Sequence, residues 1–234
     1  MHVLADIFTP GNTRFIVWGL FTTLAVSVST VFFSVLFGSI LALCRNYEKR
    51  IFGKIASVYI EIFRSTPLLL WVLACVFLVR GGTSLIRGSL ALTLYTSSVI
   101  AEIVRGGLNS VAKGQFEAAR SQGFGFLQTL WYIVLPQCFR RIVPSLMSQI
   151  ITTVKDTSFF AQFAITEFFF NTKNLMSSLP HEGVTISTAH IFVIFGFIAL
   201  IYFTINFSLS CIVRSLAKTE QQLEASSGTA VKEV

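Results

Sequence analysis

The fold class predicted by the sequence is all-α: an integral membrane helical bundle of five transmembrane helices. Three observations predict it. Two runs without Asp, Glu, Lys or Arg are very long, residues 15–44 and 183–213. At about 1.5 Å of helical rise per residue, either run crosses a hydrocarbon core roughly 30 Å thick. Only 12% of the 234 residues are charged, while 53% are hydrophobic, Phe numbers 24 and mean hydropathy is +0.73. A soluble domain carries about twice that share of charge. The third observation is where the basic residues fall: 12 of the 18 lie on one side of a five-span topology.

The spans follow in order. Residues 14–43 form the first; this run is too long for a secretory h-region and lacks a basic start and a cleavage site, so it is expected to be a mature span. Residues 55–79, 85–104, 142–163 and 187–213 form the others. A further charge-free stretch, 121–139, contains Gly123, Gly125 and Pro136, which interrupt a regular span; it is read as part of a loop. The loop 45–54 then holds Arg45, Lys49, Arg50 and Lys54. The loop 105–141 holds Arg105, Lys113, Arg120, Arg140 and Arg141, and the tail holds Arg214, Lys218 and Lys232. By the positive-inside rule these mark the cytoplasmic face, which puts the N-terminus outside and the C-terminus inside. Residues 1–218 make the membrane domain. Residues 219–234, polar and rich in small side chains, make a flexible cytoplasmic tail.

Several functions are excluded or weakened by the same reading. The net charge of +7 suggests nucleic acid, but binders of that kind gather Lys and Arg on one exposed face. Here the charges punctuate apolar segments, so no nucleic-acid partner is expected. Cys44, Cys75, Cys138 and Cys211 are widely spaced, and His2, His181 and His190 form no ligand-spaced group; no metal site and no cofactor is expected. Ser110 and Lys113 fit S-x-x-K without its companion motifs. There is no phosphate-binding G-x-x-x-x-G-K-[ST] loop, so ATP chemistry, if used, belongs to another subunit.

The cytoplasmic segment 106–140 is long for a connection and is therefore expected to work. Its residues 115–122 have helix-forming composition. Gly123 interrupts it, placed either as a left-handed helix terminator or for close backbone approach, and the apolar side chains after it predict a second short helix. That apolar face fits either a groove on a cytoplasmic partner or the underside of the bundle.

At these residues the sequence resembles the membrane-spanning permease subunit of ATP-binding-cassette (ABC) importers. The family pattern runs Glu-Ala-Ala, three residues, Gly, nine residues, then Ile-x-Leu-Pro. It is matched by Glu117, Ala118, Ala119, Gly123, Ile133, Leu135 and Pro136. FRSTPLLL (63–70), EIVRGGLNSVAKGQ (102–115), VLPQCFRRIVPSL (134–146) and KDTSF (155–159) are similar to its polar-amino-acid branch. Ser65, where Gly is common in that branch, and Val99-Ile100, where Ala-Tyr is common, depart from it. The resemblance implies a type I importer permease fold in the plasma (inner) membrane of a bacterium. It implies that 106–140 is the coupling loop, seated in cytoplasmic ABC ATPase subunits. It also implies a second permease subunit, identical or a close paralogue, and an extracytoplasmic amino-acid-binding protein. The substrate would be a polar amino acid, glutamine first.

Ionisable residues inside spans are costly and point to function. Glu61/Arg64 and Glu102/Arg105 stand three apart and are expected to pair within their own helices. Arg64, Ser65 and Thr66 precede Pro67, and broken helices in transporters line substrate paths. Lys155, Asp156, Thr157 and Ser158 supply a cation, an anion and two hydroxyls, the inventory a zwitterionic amino acid requires. The resemblance sets these four beside the substrate cavity; on residues alone, Lys155 and Asp156 equally fit an internal pair. A secondary transporter or channel working without an ATPase remains open at this stage, as does an intramembrane enzyme built on Lys155/Asp156.

Overall fold

The computed structural model describes residues 2–48 and 50–230, with only the backbone described for 2, 182 and 216–230. Lys49 and Lys232, two of the basic residues counted to the inner face, and residues 231–234 of the tail lie outside the described residues. Among the described residues every regular element is a helix.

A short α1 (His2–Ile7) leads into α2 (Pro10–Tyr47). Pro10 sits at the first helical position, where its missing N–H costs nothing. Thr9 caps the end by accepting from the Asn12 N–H at 3.3 Å. α2 carries its large apolar side chains outward: Val17, Trp18, Phe21, Val28 and Phe32 are all more than half exposed. Its buried face is small and polar, with Thr23, Ser27, Thr30 and Ser34. That inversion suits a lipid surroundings, where helices associate through small residues and hydroxyls rather than through the hydrophobic effect.

α3 (Ile51–Ser65) and α4 (Leu68–Leu78) meet at Thr66-Pro67 and are bent by 105°. The single span expected over 55–79 is therefore a broken one. Pro67 cannot donate and forces the preceding residue out of the helical region; Thr66 adopts ψ 149°. α5 (Ser84–Ser110) packs along α2 at very short range. A β-carbon on Gly38 would stand 2.7 Å from the Ser97 carbonyl oxygen, so only glycine permits this approach. The Ser34 hydroxyl donates to the Thr93 carbonyl at 3.0 Å, and Tyr59 of α3 donates to the Leu94 carbonyl at 2.8 Å.

α6 (Lys113–Ser121) is followed by a turn and by α7 (Phe126–Thr129), a π turn (Leu130–Val134) and α8 (Leu135–Asp156), which run on without a break. The expected interruption of 121–139 thus falls at residues 122–125 and not at Pro136. The Leu135 N–H donates to the Leu130 carbonyl, five residues back. The wider turn makes room where the ring of Pro136 would crowd a regular one. α8 ends in a 3-10 segment (Thr157–Phe163), so the fourth span changes helix type at Asp156. α9 (Phe168–Ser178), a short 3-10 turn (Leu179–Glu182) and α10 (Thr188–Ala230) complete the chain.

Among the described residues two helices are long and apolar enough to cross a membrane by themselves, α2 and residues Thr188–Ser215 of α10, and the bent α3–α4 pair adds a third crossing when it counts as one. α5 and α8 are long but more polar. α9 is packed into the bundle, with Phe168, Asn171, Thr172 and Leu175 buried against α2 and α10. α1 has no counterpart in the sequence reading. It is held by buried Ile7 and by Asp6, which lies 3.3 Å from His190 of α10.

Candidate functional site

The motif-bearing segment forms an arm. Helix α6 ends in a Schellman turn: the Phe124 N–H donates to the Ala119 carbonyl and the Gly123 N–H to the Arg120 carbonyl, both at 3.0 Å. Gly123 has φ +84°, as its position after Gln122 predicts, and space around it is open. The reason for glycine is conformational, since a side chain at this φ is strained. Of the seven motif residues, Glu117, Ala118, Gly123 and Pro136 are exposed, Ile133 is half-buried, and Ala119 and Leu135 are buried. The buried two anchor; the exposed ones present a surface. Behind the arm, the Tyr47 ring meets Phe126 edge-on at 5.3 Å, and Gln137 donates to Gln115 at 3.2 Å. Arg141 donates to the Ser110 carbonyl and to its hydroxyl.

The charges on α2, α3 and α5 are wired differently from the expected i, i+3 pairs. Glu102 is the hub. It accepts from Arg105 at 2.8 Å, as expected, and also from Arg45 at 2.8 Å, with Arg64 at 3.6 Å. Glu61 pairs with Arg45 at 3.0 Å and not with Arg64. The reason is burial. The Glu102 side chain is 16% exposed and lacks water to offset its charge, whereas that of Glu61 is 66% exposed.

Arg64, Ser65 and Thr66 sit at the α3–α4 break. Thr66 donates to the Ile62 carbonyl at 2.7 Å and accepts from Trp71 Nε1 at 2.7 Å, bracing the bend. Arg64 and Ser65 are exposed. The second group lies elsewhere, at the α8 to 3-10 junction. Neither Lys155 nor Asp156 has an ion-pair partner within 4 Å among the described residues, so the internal pair is not formed. Thr157 is buried and donates to the Val154 carbonyl. Lys155 and Ser158 share a cleft of about 210 Å³ with Phe169, Ile198 and Tyr202; Asp156 and Thr157 are outside its lining.

Sequence reasoning missed Glu167. This carboxylate is fully buried beneath that cleft's Phe169 and Tyr202. It accepts from the Phe170 N–H at 2.6 Å, the Phe169 N–H at 2.9 Å, Thr23 Oγ1 at 3.2 Å and Tyr202 Oη at 3.3 Å. The available signal was its place before FFF at the start of a helix, an N-cap position.

A helical membrane bundle with a projecting arm of this pattern defines a class of transport component. Residues 34–220 match the family of binding-protein-dependent transport system inner membrane components, and the chain belongs to it. Among its relatives is a probable glutamine ABC transporter permease protein, GlnP, of Bacillus subtilis. It is 37% identical over 202 residues, covering 85% of this chain and 90% of that protein. The glutamate transport system permease protein GluD of Corynebacterium glutamicum is 34% identical, covering 91% of this chain and 76% of its own. Of solved structures, an amino acid ABC transporter with histidines superposes with TM-score 0.76 at 26% identity, covering 88% of this chain and 94% of that one.

Proposed function

We propose that the chain is one permease subunit of an importer for a polar amino acid, glutamine first. It lines the translocation path and couples it to ATP hydrolysis in a separate subunit. The observation that carries this reading is the arm. A seven-residue pattern is split into buried anchors and an exposed face, its first helix is ended by a left-handed glycine, and the chain belongs to a family of transport components. Glu117, Ala118, Gly123 and the turn seat in a cytoplasmic ABC ATPase; Ala119, Ile133, Leu135 and Pro136 carry its motion into α8. A second permease subunit, identical or a paralogue, closes the cavity, and an extracytoplasmic binding protein delivers the amino acid.

Five crossings result when α3–α4 is one broken span and α5 and α8 are spans in spite of their polarity. Buried Thr96, Ser97 and Ser98 support this for α5, because its hydroxyls face neighbouring helices and not lipid. The N-terminus is then outside and the C-terminus inside. Residues 1–218 form the membrane domain, and α10 continues past it as a polar helix to Ala230. Arg64, Ser65 and Thr66 at the break, and Lys155, Asp156, Thr157 and Ser158 at the junction, line the path.

Proteoliposome uptake tests the reading. The chain alone is expected to transport nothing, and to take up glutamine with ATP once ATPase and binding protein are added. Ion-driven uptake by the lone chain would identify a secondary transporter and overturn the proposal. Within the complex, Asp156→Asn and Lys155→Met are each expected to lower uptake and substrate-stimulated ATPase activity. No change in either removes those residues from the path.

A further inference from the structure

The arm has a second limb, and its most exposed side chains fall outside the seven-residue pattern. Leu127, Trp131 and Tyr132 are each at least 65% exposed, while Leu130 and Val134 of the same limb pack under the bundle. An apolar patch of this kind marks a surface that something covers. Helix α2 sets its depth. Leu127 and Trp131 share a groove of about 460 Å³ with Leu43, Cys44, Tyr47 and Glu48. Leu43 and Cys44 close the charge-free run 15–44, so one wall of the groove stands where hydrocarbon gives way to headgroups. Tyr47 and Glu48 come one helical turn later, about 6 Å, the thickness of a headgroup layer. The lipid face of α2 leads into the groove: Phe33, Phe37 and Ile40 are exposed at helical spacing, and Leu43, Cys44 and Tyr47 carry the row on, half-buried.

The residue types suit this level. Trp and Tyr rings join an apolar body to a polar edge and collect at membrane–water boundaries. Just past the groove, Arg50 and the first turn of α3 expose two cations, Arg50 and Lys54, among exposed Ile51, Phe52 and Ile55. Glu48 adds one acid to the groove, and its carboxylate accepts the Arg50 N–H at 2.9 Å, which keeps Arg50 at the groove's edge. The local excess is cationic, and cations at an inner membrane boundary favour anionic headgroups. The exposed motif residues Glu117, Ala118 and Gly123 are outside the groove lining. Resting on the inner-face placement of the arm proposed above, we infer that the groove binds an anionic phospholipid of the inner leaflet. Its acyl chain lies on Leu43, Leu127 and the face of α2, the Trp131 and Tyr132 rings stand at the ester level, and Arg50 and Lys54 favour the charged headgroup. The arm is then held on two sides, by the leaflet on this limb and by the ATPase on α6.

The test reads Trp131 fluorescence in the full-length permease, free and assembled with the ATPase, in liposomes of phosphatidylcholine and phosphatidylglycerol. The Trp131 signal is the difference between wild type and Trp131→Phe, which cancels every other tryptophan. Lipids brominated near the headgroup are expected to quench most of that signal in both samples, and lipids brominated near the methyl ends, or acrylamide in the water, much less. Brominating one lipid at a time gives the preference of the site for phosphatidylglycerol. Arg50→Gln and Lys54→Gln are each expected to lower that preference about fivefold. Quenching by acrylamide alone shows a patch open to water and overturns the inference. Lipid quenching that vanishes when the ATPase is added gives the groove to the ATPase and overturns it as well. Equal quenching by the two lipids, unchanged in both cation variants, overturns the anionic headgroup. Strongest quenching by the deep bromines places residues 121–139 across the membrane, and overturns the proposed placement of the arm together with this inference.

Discussion

Along the contact between α2 and α5, Ser34 and Ser97 are wholly buried and Gly38 admits no side chain at all, because the Ser97 carbonyl fills the place of its β-carbon. Along α6 and the turn after it, Glu117, Ala118 and Gly123 stand in the open, and a β-carbon on Gly123 would touch nothing. Both regions use glycine, for opposite reasons: one for space, the other for a backbone angle. The seam holds the bundle together and offers nothing to a partner. Helix α6 and the turn after it contribute little packing and present an open surface. Substitutions should therefore separate stability from coupling, and the clearest separation comes from the arm.

Charge reversal at Glu117 combined with a bulky side chain at the exposed helical Ala118 (Ala118→Trp) should have the largest effect. Uptake and ATPase association are expected to fall to background while the helical circular dichroism and detergent melting temperature of the isolated permease stay unchanged. A melting temperature that falls with the activity would show that the arm is part of the core, and the comparison would fail.

Glu102→Gln comes next. It leaves Arg45, Arg64 and Arg105 gathered around a neutral amide. Removing the shared acceptor of this partly buried charge cluster costs about 2 kcal/mol, read as a lower melting temperature of the permease. Gly38→Ala follows at about 2 kcal/mol, the cost of forcing the α2–α5 backbones apart. Its signature is reduced stability with ATPase binding retained per folded molecule, the reverse of the arm variant.

The same contrast explains what was legible in the sequence. Gly123 was readable because a helix terminator is decided by neighbours within six residues. α2 and α10 were readable because hydropathy sums along one helix. α5 was read correctly as a helix, although its buried Thr96, Ser97 and Ser98 look like surface residues until α2 is laid against it. The break at Thr66-Pro67 was located, but its 105° angle depends on where α4 finds its packing. Pro136 misled, because a π turn just before it makes room for the ring. Glu167 was invisible as a site: the hydroxyls that define it come from residues 144 and 35 positions away.

Glu61→Gln should have the smallest effect, and it sharpens the comparison most finely because it tests the edge of the seam. Glu61 and Glu102 both hold Arg45, at 3.0 and 2.8 Å. Their surroundings differ: one side chain is 66% exposed and the other 16%. Water screens the first pair, and such surface pairs are worth about 0.5 kcal/mol or less. The expected melting temperature is therefore within a degree or two of wild type, with coupling intact. Salt should erase even that difference, since exposed charges are screened over roughly 10 Å at 0.1 M, while the Glu102→Gln deficit should persist. If Glu61→Gln instead cost as much as Glu102→Gln, the two carboxylates and three arginines would be acting as one unit. The boundary between the packed seam and the working face would then lie on α3, not at the end of α5.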